Sequence, residues 1–69
     1  MTYRELTRKL KSLGCEFDRQ SRGSHEIWRN PATGNRTTIP NWGGRDLRLG
    51  TIRAIMRDLE LDKAAFDQA

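Results

Sequence analysis

The sequence is poor in the residues that most often carry protein chemistry. Its 69 residues include one cysteine, Cys15, and one histidine, His25. A single thiol cannot close an intramolecular disulfide, and one thiol with one imidazole cannot build a usual zinc site, so neither is expected. No apolar run is long enough to span a membrane, and the apolar segment of a signal peptide is missing. A cytoplasmic protein without a membrane partner is therefore the expectation. There is no phosphate-binding P-loop, no dinucleotide fingerprint and no HExxH motif, and the glycines of "GGRDLRLG" do not have the spacing of a phosphate loop. No organic cofactor is expected. A chain this short buries only a little over half of its unfolded surface. One small domain over residues 1–69 follows, with a shallow groove or an exposed sheet face in place of a deep pocket.

What the chain does carry is positive charge. Thirteen Lys and Arg stand against nine Asp and Glu, a formal net charge of +4. That balance favours a polyanionic partner, nucleic acid first, and is also compatible with docking on an acidic protein.

The order of elements is legible from periodicity. "TYRE" reads as a capping box, with Thr2 accepting from the Glu5 N–H and the Glu5 side chain reaching back. Tyr3, Leu6, Leu10 and Leu13 then recur on one helical face, and Gly14 is placed as the left-handed cap. "CEFDRQ" alternates, Cys15 and Phe17 to one side, Glu16 and Asp18 to the other. "SRG" is the turn into "SHEIWRN", where His25, Ile27 and Arg29 share one face and Ser24, Glu26 and Trp28 the other. Alternation alone leaves open which of Ile27 and Trp28 meets the helices; the larger apolar area of Trp28 favours Trp28 inside, with His25 and Ile27 outward. "NPATGN" reads as a hairpin loop, and "RTTIP" as a third strand stopped by Pro40. After the "NWGGRD" loop, Ile52, Ile55, Met56 and Leu59 mark a second helix, and Asp62 is placed to cap a short C-terminal one. The fold class is α+β: a helix, a three-stranded antiparallel sheet and a helix, with both helices on one face of the sheet. This layout resembles the double-stranded-RNA-binding domain, which recognises RNA by shape and backbone.

His25 is the residue to explain. A lone histidine on a strand is ordinarily a surface or hydrogen-bonded residue. Imidazole is also the side chain whose ordinary pKa suits proton transfer near neutrality. A serine triad is excluded, since Ser24 and His25 are adjacent on a strand and their side chains diverge. The surroundings suit a phosphate. Arg19 and Arg22 precede His25, Gly23 and Ser24 adjoin it, and Arg29 follows on its face. Arginines neutralise phosphate oxygens, and a glycine N–H can meet one closely. RNA brings its own nucleophile, the 2′-hydroxyl, so one histidine in a basic cradle suffices without metal. Trp42 has two roles open to it: a hydrophobic plug under its loop, or a stacking platform for an unpaired base. Three functions remain compatible with these residues: a metal-independent ribonuclease, a non-catalytic RNA-binding module, and a basic docking protein.

The motifs "REL…L…LG", "GSHEIWRNP", "TIP" and "DLRLGTIRAIM" together resemble the HicA toxin family, small mRNA interferases of toxin–antitoxin pairs. The resemblance runs from Tyr3 to about Leu61. It implies a double-stranded-RNA-binding-like fold, endonuclease activity on mRNA, a catalytic histidine at His25, and a HicB-like antitoxin covering the active surface. The chain departs from the family pattern at "PNWGG", where Trp42 offers no titratable proton.

Overall fold

The Thr2 hydroxyl accepts from the Glu5 N–H at 3.3 Å and opens the first helix, α1, Tyr3–Ser12. The structure, a computed structural model, describes residues 1–69. The returning half of the capping box differs from expectation. The Glu5 carboxylate accepts from the Thr2 hydroxyl at 3.2 Å, while the Thr2 backbone is bridged to Asp46. At the other end of α1, Gly14 takes φ +91°, the Cys15 N–H donates to Leu10 O, and the Gly14 N–H donates to Lys11 O. That is the paired 6→1 and 5→2 closure of a Schellman motif, and it turns the chain directly into the sheet.

The strands are β1 (Glu16–Gln20), β2 (His25–Arg29) and β3 (Arg36–Pro40), antiparallel in the order β1-β2-β3. The third strand falls where the sequence puts it, and the first two are trimmed by one or two residues at their ends. Pro40 closes an edge strand, where a missing N–H costs no ladder bond. The β2–β3 loop is closed by the Asn30 N–H donating to Asn35 O at 2.9 Å, which sets Arg29 directly opposite Arg36.

Two helices follow, α2 (Leu49–Asp58) and α3 (Lys63–Gln68), the latter capped by the Asp62 carboxylate on the Ala65 N–H. The core joins Leu6 and Leu10 of α1, Trp28 and Ile39 of the sheet, Ile52, Ile55 and Leu59 at α2, and Phe66 of α3. Both amphipathic helices thus cover one sheet face, and Trp28 is inside, 2 % exposed. Cys15 is buried beside them, and burial raises its thiol pKa. Phe17 lies on the same side as Trp28, 6.2 Å away edge-on, but on an edge strand, and it stays half exposed.

The C-terminal end of α2 is tied to the β2–β3 hairpin. Asn30 Nδ2 donates to Leu59 O at 2.7 Å, Thr37 Oγ1 to Asp58 Oδ2 at 3.0 Å, and Asn35 Nδ2 to a Glu60 carboxylate oxygen. No helix is long and apolar enough to cross a membrane.

Candidate functional site

Alternation on β2 splits its side chains between two environments. Glu26 and Trp28 go in; His25, Ile27 and Arg29 go out, onto the face that no helix covers. His25 sits at the start of β2, opposite Pro40 at the end of β3. Its backbone is firmly held. The His25 N–H donates to Arg22 O at 2.9 Å, and His25 O accepts from the Ser21 N–H and from Gln20 Nε2, both at 2.9 Å. Its imidazole is exposed and has no hydrogen-bond partner in the protein. A fixed backbone under an unengaged side chain is an arrangement that can meet a ligand.

The turn before His25 adds donors. Gly23 has φ +56°, a conformation that side-chain-bearing residues rarely adopt, and open space where a Cβ would stand. The N–H groups of Gly23 and Ser24 have no acceptor within the protein, and Gln20 Nε2 holds Gly23 O at 3.0 Å. Arg22, in the same turn, is exposed and makes no ion pair. Successive free N–H groups beside a guanidinium suit a phosphate oxygen.

Arg19 reaches the open face through an irregularity that the sequence reading did not include. Uninterrupted alternation would send Arg19 to the helix side with Phe17. The ladder shifts register between Phe17 and Arg19, so Asp18 is an extra residue and Arg19 pairs with Ile27 on the outer face. Asp18 stays outward as expected. It accepts from Arg36 Nε at 2.9 Å and Arg19 Nη1 at 3.2 Å, and the Arg36 hydrogen bond chiefly holds its carboxyl below the usual range. Arg36 is thus a member of the face that sequence reasoning missed. The signal for it was the six-residue "NPATGN" loop, whose closure pairs position 29 with position 36.

Trp42 lies in the loop after β3, which is tied to the turn before His25 by the Asn41 N–H donating to Ser24 O at 2.8 Å. The indole is half-buried and packs against the core, and the Arg45 guanidinium lies over its ring at 5.3 Å.

Beneath this end of the sheet is a second residue that sequence reasoning placed inward without giving it a role. Glu26, 8 % exposed, accepts from the Tyr3 hydroxyl, from Trp28 Nε1 at 3.0 Å and, more distantly, from Asn41 Nδ2 at 3.4 Å. A buried carboxylate needs such donors. These join α1, β2 and the Trp42 loop directly behind His25. Burial, and then the hydrogen bond to Glu26 with its negative charge, push the Tyr3 pKa up to about 12.

No three His, Cys, Asp or Glu side chains converge as metal ligands would. The one cavity, about 550 Å³, lies away from His25 between the N-terminus, α2 and α3, and is lined mainly by Met1, Leu47, Leu49, Ile52, Met56 and Phe66.

No curated protein and no solved structure gives a significant match to the chain. The family model described as the HicA toxin of bacterial toxin–antitoxin matches residues 3–61, which takes in α1, the whole sheet, the His25 turn and α2. With that span matched, the chain belongs to the HicA toxin family of bacterial toxin–antitoxin systems.

Proposed function

We propose that the protein is the toxin of a type II toxin–antitoxin pair and a metal-independent endoribonuclease acting on mRNA through His25. One observation carries this reading: an exposed, unengaged imidazole on a hydrogen-bonded strand end, flanked by the free Gly23 and Ser24 N–H groups and by arginines. The substrate's 2′-oxygen attacks the adjacent phosphorus and the bond to the 5′-oxygen breaks. The products are a 2′,3′-cyclic phosphate and a 5′-hydroxyl. His25 takes the proton from the 2′-hydroxyl and returns one to the departing 5′-oxygen. Gly23 and Ser24 N–H and Arg22 stabilise the charge that builds on the phosphorane oxygens. Arg29 receives the strand further along the face. Trp42 supports the loop from below, and Arg45, held over its ring, presents charge beside the site.

A HicB-like antitoxin, acidic where it meets this face, silences the toxin by competing for the same arginines. This follows from charge: a face that binds phosphate also binds carboxylates.

The test is cleavage of single-stranded RNA by wild type, His25→Ala and His25→Gln in excess EDTA. Wild type is expected to cut with chelator present. Both variants are expected to lose about 10²–10⁴-fold in rate, the usual weight of acid–base catalysis, with unchanged circular dichroism. Undiminished cleavage by folded His25→Ala, or loss of activity on chelation with recovery on adding a divalent ion, refutes the mechanism. RNA binding without cleavage by wild type supports the non-catalytic module instead.

A further inference from the structure

The open face has a second concentration of charge at the opposite end of β2 from His25. Arg29 stands directly opposite Arg36, and Arg19 lies nearby on β1. Like charges directly opposite in a ladder are destabilising unless an anion lies between them. Here the bulge supplies one. Asp18 reaches over the central strand to Arg36 Nε at 2.9 Å and holds Arg19 Nη1 at 3.2 Å. The match is incomplete. Arg36 is engaged through Nε alone, so its two terminal nitrogens stay free for an oxyanion. Arg29 meets only Glu16, at 3.9 Å, beyond hydrogen-bond range. Three guanidiniums therefore face two carboxylates, and the Arg19 and Arg36 side chains remain 66 % and 50 % exposed.

We propose that Arg36, Arg29 and Arg19 form a second phosphodiester subsite for the RNA strand cut at His25, with Asp18 as a resident counterion that competes with the phosphate. Four residue-to-residue steps along the strand separate His25 from Arg29, about 13 Å at about 3.3 Å each. One strand segment of a few nucleotides spans both. The subsite rests on the RNA reading but not on cleavage. RNA is favoured over an acidic polypeptide because the cluster continues the His25 face along a single strand. The arginine forks are also preorganised for bidentate contact with phosphate.

The experiment measures binding in the His25→Ala background, so that RNA survives, with a dinucleotide and a longer single-stranded oligonucleotide over a range of salt. Arg36→Ala is expected to weaken the longer RNA about tenfold and to lower the salt slope by about 0.7, one phosphate contact. Asp18→Asn is expected to tighten it about two- to fivefold, the scale of one exposed ion pair. Neither variant should alter dinucleotide binding. The sign of the Asp18→Asn effect separates a competing counterion from a structural one, whose loss would weaken binding. Weaker or unchanged binding by folded Asp18→Asn overturns the proposal, and so does Arg36→Ala binding as wild type. If both variants change the affinity for polyglutamate and not for RNA, the cluster is a protein-docking surface and the proposal also fails. An enzyme that cleaves nothing yet shows these binding changes leaves the subsite standing and removes only the catalytic reading.

Discussion

His25 and Glu26 are neighbours in the chain and opposites in environment. Glu26 is buried on the helix side, and three donors are directed at it. His25 is exposed on the other side, and its imidazole has no partner. The same contrast holds one step along, where Trp28 fills the core and Ile27 lies on the open face. On the inner face polar groups are satisfied and apolar ones, apart from Phe17 at the sheet edge, are enclosed, which makes that face a support. On the outer face donors and cations are held in place without full satisfaction. A binding surface has that character, since a group already saturated within the protein has little to offer a ligand.

Substitutions that exchange the two faces should separate stability from RNA binding. The largest effect is expected from Trp28→Ala, about 3–5 kcal/mol, against a total of about 3–10 kcal/mol for a domain this size. Ile27→Ala is expected to stay within about 1 kcal/mol. Chemical denaturation of the pair checks this, and equal losses would break the distinction between the faces.

Next is Glu26→Leu, which leaves the Tyr3 hydroxyl and Trp28 Nε1 without their acceptor and is expected to cost about 1–3 kcal/mol. Glu26→Gln keeps an acceptor and should cost less. If Glu26→Leu melts no lower than wild type, Glu26 is not the tie between α1, β2 and the Trp42 loop.

The smallest effect is a titration. Tyr3 is the only tyrosine, so tyrosinate absorbance reports it alone. Its folded-state pKa lies near 12, above the ordinary 10.0, so the unfolded chain gives up the proton first. The resulting stability is full below pH 10 and is lost as pH rises towards 12. Native tyrosinate absorbance should have its midpoint near 12, and a midpoint near 10 would remove the part-buried Tyr3–Glu26 contact.

Much of this arrangement was legible in the chain. The 3.6-residue stripes of α1 and α2 assign their faces unaided, because each depends only on local period and burial, whereas the alternation of β2 sorts its residues into two sets and leaves only the size of Trp28 to suggest which set is inside. Gly14 and Asp62 mark their caps by residue type. The bulge at Asp18 was not legible. "CEFDRQ" alternates in sequence, and the extra residue shows only when β1 is laid against β2. That single shift brings Arg19 outward beside Asp18. The Glu26 network was hidden for a related reason. Its donors come from positions 3, 28 and 41, and nothing local to "SHEIWRN" shows what will face a buried carboxylate. The placement of Trp42 depended likewise on where its loop is anchored, and the Asn41–Ser24 bond sets it beside the turn before His25.

On the proposed function, RNA meets the open face and leaves the helix face untouched. Amide chemical shifts of isotope-labelled His25→Ala protein, titrated with a single-stranded oligonucleotide, test it directly. The expected result is perturbation at Arg19, Arg22 to Ser24, Ile27, Arg29, Arg36 and Thr38, with the amides of Leu10, Ile55 and Phe66 unmoved. Perturbation concentrated on α2, α3 and the Met1–Leu49–Phe66 cavity, with the outer strand residues unmoved, would contradict it.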